Sequence, residues 1–205
     1  MPQHYEVVDG EPLPVQLGGH PALDFCNTWA GWDGHDAGDY LVSYRSLAVW
    51  SAWVGLLSET QARAAERDAA HSAGRAATVL ERARRFRAGL YEVLTTRAAL
   101  LPWPQPLVDE LRGAVGACSW SDDPPGPRWA VDPDAGVAAP LAAVAWSALG
   151  LLTSSELARI RICPGPGCGW LFVDPSGRRK WCSMATCGNR AKARRFADRA
   201  RAARG

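Results

Sequence analysis

Four cysteines near the C-terminus, Cys163, Cys168, Cys182 and Cys187, stand in two pairs with four residues inside each pair and thirteen between them. Zinc takes four ligands at tetrahedral corners, about 2.3 Å from each sulfur. Two tight turns brought together by the intervening chain supply that geometry. The first pair encloses Pro164, Gly165, Pro166 and Gly167. Proline presets a turn and glycine reaches positive φ, as a tight knuckle requires. The four histidines lie far upstream, at 4, 20, 35 and 71. The ligand set is therefore all cysteine and closed, which is structural rather than catalytic chemistry, and it implies one structural Zn2+. Cys26 and Cys118 sit in apolar surroundings and read as buried thiols.

The segment after Cys187, GNRAKARRFADRARAARG, is helical in pattern and cationic. With Arg178, Arg179 and Lys180 just before the second knuckle, nine cations fall between Arg178 and Arg201. Such a cluster is an electrostatic footprint for phosphate, and arginine on a helix also reaches guanine edges in the major groove. The candidate DNA-contacting residues are Arg178, Arg179, Lys180, Arg190, Lys192, Arg194, Arg195 and Arg199. The competing reading is a solvated charged helix, with Arg178 and Arg179 bonding helix or knuckle carbonyls instead. Asn189, Ala193, Phe196, Ala197 and Ala200 share one helical face, which can pack on the zinc hairpin.

A third constellation lies near the N-terminus. Asp24, Asn27, Thr28 and Trp29 are close in sequence, and Arg45 and Trp50 follow in the next helical segment. Polar groups and aromatics converging on a concavity are what small-ligand pockets use. The plainer alternative is that Asn27 and Thr28 cap a helix while the tryptophans are core. No HExxH, GxSxG, P-loop or dinucleotide fingerprint occurs, so the chain is expected not to be an enzyme.

The elements that must hold these groups are mostly helices. Residues 1–22 read as extended and 23–29 as the start of a helix. Residues 31–39 read as a loop, and 41–57 carry apolar residues at helical spacing. Ser58 with Gln61 forms a capping-box signature for the next helix. Residues 76–101 read as a long amphipathic helix stopped by Pro102, Pro104 and Pro106, and 107–118 as a shorter one. Arg128–Val131 reads as a strand turning at 132–136, and 141–152 as a buried helix. In the zinc module, Trp170–Val173 and Arg178–Trp181 read as strands joined by a turn at 174–177. The expectation is a mainly α protein with small β-hairpins. A helical domain over 1–157 precedes a finger over 158–205, laid out as knuckle, β-hairpin, knuckle, helix.

Composition agrees. Hydrophobic residues make up 47% and charged residues 21% of the chain, as in a folded domain. Net charge is only +2, yet residues 159–205 hold twelve Lys/Arg against two Asp, while residues 1–158 hold eleven Arg against nineteen Asp/Glu. That split, +10 against −8, suggests a polyanion-seeking tail on a body that avoids polyanions. The N-terminus lacks the charged and apolar regions of a signal peptide, and the longest apolar run, 137–152, suits a buried helix better than a membrane span. The expected location is the cytoplasm, with no membrane partner. There thiols stay reduced and clustered cysteines favour metal over disulfides.

The stretch from Cys163 through Gly169-Trp170-Leu171-Phe172-Val173-Asp174, then Arg178-Arg179-Lys180-Trp181-Cys182-Ser183-Met184 and Cys187-Gly188-Asn189-Arg190, resembles the CGNR zinc-finger family of bacterial proteins. Residues 17–28 (LGGHPALDFCNT) and 40–57 resemble the ABATE domain that precedes such fingers. These resemblances imply stress-induced transcription regulators that bind zinc and DNA. Together with the residues, they lead to a zinc-dependent DNA-binding regulator whose N-terminal domain senses a small-molecule effector or forms a homodimer. The alternative is a zinc-stabilised protein-interaction or small-molecule-binding module without DNA contact.

Overall fold

The computed structural model describes residues 5–32, 34, 38–96, 102–122 and 126–202. The chain opens with an antiparallel hairpin, β1 (Tyr5–Val8) and β2 (Glu11–Pro14), turning through Asp9 and Gly10 at positive φ. Helix α1 (Pro21–Cys26) is capped by His20, whose Nδ1 accepts from the Ala22 N–H, with Pro21 at its first position. It ends at Asn27, short of the expected Trp29. Trp29–Ala30 (β3) instead pairs with Gly38–Asp39 (β4).

Helix α2 (Tyr44–Trp53) starts on a capping box between Ser43 and Ser46, and α3 (Glu59–His71) on the expected one between Ser58 and Gln61. The long helix α4 (Ala73–Thr96) follows; the expected extension to residue 101 lies outside the described residues. Helix α5 (Gln105–Gly116) stops before Cys118, because Cys118–Ser121 is a strand, β5. It pairs with β6 (Arg128–Val131). The hairpin therefore runs back from β6, not forward through 132–136 as its turn residues suggested; Pro133–Ala138 is a 3-10 turn leading into α6 (Ala139–Leu152).

Helix α6 is apolar on nearly every side because α1, α2, α5 and the 3-10 turn surround it. The span Asp134–Leu152 is long and apolar enough to cross a membrane by composition, but it serves here as the core helix of a helical bundle. Phe25 of α1 packs on Trp50 of α2 at 5.4 Å and on Phe86 of α4 at 6.0 Å, tying three helices at the centre.

The finger begins with β7 (Ile160–Ile162), paired antiparallel with β8 (Leu171–Val173). The expected partner strand, Arg178–Trp181, is irregular. The first knuckle thus sits at the tip of the β7–β8 hairpin. The second lies at a π-helical turn, Met184–Gly188, that runs into α7 (Asn189–Ala202). Ile160, Leu171 and Val173 belong to the same apolar core as α1–α6. A second cluster holds the four cysteines together with Ala30, Tyr40, Trp170 and Phe172. The finger is therefore built into the body along its strands, while its last helix stays outside.

Candidate metal centre and nucleic-acid interface

The four thiols are buried and all lie within 4.8 Å of one another. Their separations fall between 3.5 and 3.8 Å. A tetrahedral zinc with sulfur at about 2.3 Å sets its ligands about 3.8 Å apart, so the cluster fits the ion. A disulfide needs sulfurs about 2.05 Å apart, and Cys182 stands 3.6 Å from both Cys168 and Cys187. The knuckle closes through Cys168 N–H donating to Gly165 O at 2.9 Å, and Gly167 and Gly169 adopt φ of 73° and 66°. A Cβ on Gly165 would stand 3.0 Å from the Cys187 sulfur, so glycine here keeps the second knuckle within reach of the first. The four cysteines can hold one zinc ion, in a structural role.

Side chains from the body position this centre. The Asn27 carboxamide pairs in both directions with the Leu171 backbone, at 3.0 and 2.8 Å, and all three groups are buried. The Trp170 indole N–H donates to Trp29 O at 3.0 Å, and the Tyr91 hydroxyl donates to Gly169 O at 2.8 Å. Trp32 stacks on Tyr91 at 3.7 Å and holds Cys26 O with its indole N–H. Val173 N–H donates to Gly18 O at 2.8 Å, and the Asp24 carboxylate in turn accepts from the Leu17 and Gly18 N–H groups at 2.9 and 2.7 Å. Burial pushes the Asp24 carboxyl up to about 6, against the pull of those two N–H groups and of Arg179. Asp174 behaves oppositely. Burial works to raise it, yet the Arg179 N–H, the Ser176 hydroxyl and the Arg178 and Gly177 N–H groups hold it below the usual carboxylate range.

The cations expected to meet DNA separate into two groups. Arg179 is half-buried over the Phe172 ring at 4.5 Å, and its guanidinium donates to Leu17 O at 2.7 Å and Cys182 O at 2.6 Å, with longer bonds to Trp181 O and Val173 O. It ties the N-terminal loop to the second knuckle. Arg178 and Lys180 are exposed, Lys180 lying 5.9 Å above the Trp181 ring. On α7, Arg190, Lys192, Arg194, Arg195 and Arg199 are all exposed. So is the face carrying Ala193, Phe196 and Ala197, which does not pack on the hairpin: Phe196 is 77% exposed. The hairpin's buried side chains, Trp170, Leu171, Phe172 and Val173, are already packed on the body side and do not reach this face.

The six residues expected to form a ligand pocket do not converge. Asn27 and Asp24 hold the finger and the loop beside it, as described. Thr28 is fully buried, donating to Phe25 O and accepting from Arg87. Trp29 is half-buried beneath Arg87, and Trp50 is fully buried in the core. Arg45 lies exposed at 50% on another side, paired with Glu11 and Glu66.

Two positions escaped the sequence reading. Arg87 is 3% exposed and grips both oxygens of Asp39 at 2.7 Å while bonding Thr28. Tyr91, one helical turn on, clamps the knuckle. Both follow from register: Ala83, Phe86 and Leu90 define the buried face of α4, and residues 87 and 91 extend it by four.

Residues 19–155, about two-thirds of the chain, match the family model ABATE, described as "Putative stress-induced transcription regulator". Residues 159–200 match the CGNR zinc finger. Both are regulator and zinc-finger types, not enzyme families. No curated protein matches the chain.

Proposed function

The chain belongs to the ABATE family and carries a CGNR zinc finger, and from that premise we propose that it is a transcription regulator that binds DNA through α7. The single observation that carries the reading is that α7 leaves the zinc knuckle with every residue from Lys192 to Arg199 exposed, and that five cations lie between Arg190 and Arg199 with only Asp198 against them. A helix of this length without packing is marginal in water by itself. The zinc turn fixes its first residues, and phosphates would neutralise its charge. Arg178, Lys180, Arg190, Lys192, Arg194, Arg195 and Arg199 form the interface in this proposal, while Arg179 holds the finger together. The body, with its excess of acids, keeps the duplex to the finger's side.

The rest of the proposal is a bacterial, cytoplasmic stress regulator whose body senses an effector or pairs with a second copy, bringing two fingers to one duplex. A second reading, docking on protein without DNA contact, is favoured by one observation: Phe196 and Met184 are exposed on the same helix and turn. A salt-series titration against duplex DNA separates the two, since counterion release makes phosphate binding steeply salt-dependent and apolar docking does not.

A further inference from the structure

The hairpin of β5 and β6 carries a misplaced pair of large side chains. Trp120 and Trp129 are directly opposite in its register, two residues along from the pair Cys118 and Val131. Side chains alternate along a strand, so all four share one face. Cys118 and Val131 are buried in the core, yet Trp120 and Trp129 are 58% and 54% exposed. The core-facing side of the hairpin thus overhangs the body. Beneath it, Trp146 of α6 and the 55–58 turn with the start of α3 complete a cleft of about 780 Å³. Trp120 meets Trp129 edge-on at 6.3 Å, and Trp129 lies 6.5 Å from Trp146 at 46°.

We propose that this cleft is a binding site for a planar aromatic small molecule. Its volume falls within the range of small-ligand pockets. Three indoles at different inclinations offer both offset-stacked and edge-to-face contacts to a flat ring system. Gln61, Asp122 and Arg128 at the rim can orient polar substituents. An alkylammonium cage would need excess negative charge. Among the described residues the one lining carboxylate, Asp122, already accepts from the Trp120 indole N–H at 3.0 Å, and Arg128 offsets it. The site is distinct from the residues near Asn27 and stands independently of DNA binding.

The test is a titration of the zinc-loaded full chain with 8-anilinonaphthalene-1-sulfonate, read by dye emission and by the indole N–H signals in a 15N spectrum. Saturable one-to-one binding is expected, with shifts of the Trp120, Trp129 and Trp146 signals. Trp129→Ala should weaken it about tenfold, the worth of one stacked ring. Trp120→Ala gives the same reading should Trp129→Ala lower the melting temperature. Absent or non-saturable binding, or binding undiminished in the folded variants, would overturn the site. Saturable binding of methyl glucoside or tetramethylammonium at these indoles in place of the dye would overturn the ligand class.

Discussion

Asn27 and Leu171, 144 residues apart, are joined as two strands of a sheet would be: the Asn27 Nδ2–H donates to Leu171 O, and the Leu171 N–H donates to Asn27 Oδ1. A side-chain amide at the end of α1 thereby replaces a missing strand beside β8. Asn27→Ala leaves both Leu171 groups buried and unpaired, at about 1–3 kcal/mol for each. Urea unfolding should show a loss of about 2–6 kcal/mol. A loss under 0.5 kcal/mol would mean the pair does not hold the finger.

Gly169 carries φ of 66°, and a Cβ there would stand 2.7 Å from Trp32 Cβ. Gly169→Ala combines left-handed strain of about 1–2 kcal/mol with displacement of Trp32 from its stack on Tyr91. A drop of about 2–4 kcal/mol in unfolding free energy is expected, with weaker zinc retention under chelator. Gly177, also at positive φ but with open space around it, should respond less to the same change.

Asp24 sets a pH dependence whose sign follows from its raised carboxyl. The folded value is about 6 against 3.8 for the free side chain. The folded state therefore holds the proton more tightly. Its contribution is fully present below about pH 4 and is lost as the pH rises through 6, by at most about 3 kcal/mol. Asp24→Asn keeps an oxygen for the Leu17 and Gly18 N–H groups and cannot ionise. The stability of this variant relative to the parent should rise between pH 4 and pH 7; a flat difference across that range would contradict the assignment.

The two classes of cation make opposite predictions. Arg179→Gln removes charged hydrogen bonds to carbonyls, each worth about 1.5–3 kcal/mol, and should lower the melting temperature. Arg194→Ala with Arg195→Ala should leave melting unchanged and reduce the salt slope of DNA binding by about 2. Exchange of these outcomes would reverse the roles given to the residues.

The zinc centre itself is checked by metal analysis. The parent should hold one equivalent per chain, and Cys182→Ser should lose it, because three thiolates leave a corner open. Since Ile160, Leu171 and Val173 share the body's core, α1–α6 should stay folded while α7 and the second knuckle unravel.

What the sequence made legible was local. The ligand spacing, the Ser58–Gln61 cap and the apolar run of α6 each announce themselves within a few residues, and each stands in the structure. The misses were long-range or too short for a period. Ile160–Ile162 spans three residues and shows no alternation, so the pattern offers Arg178–Trp181 as the partner of Trp170–Val173 in its place. Asn27 reads as a cap or a pocket group because its partner is remote in sequence. Arg179 looked like its neighbours Arg178 and Lys180, and only its place over Phe172 sets it apart. The Trp120–Trp129 pair is hidden because the helical pattern runs through Cys118, the first residue of β5, and leaves too few residues to show a strand.

The central claim is that α7 neutralises phosphate while zinc fixes its root. Fluorescence anisotropy of a labelled duplex, titrated with the zinc-loaded full chain across a salt series, measures it directly. With about six phosphates engaged, log affinity should fall against log salt with a slope of roughly −5. A duplex left unbound at the lowest salt, or bound with an affinity indifferent to salt, would contradict it.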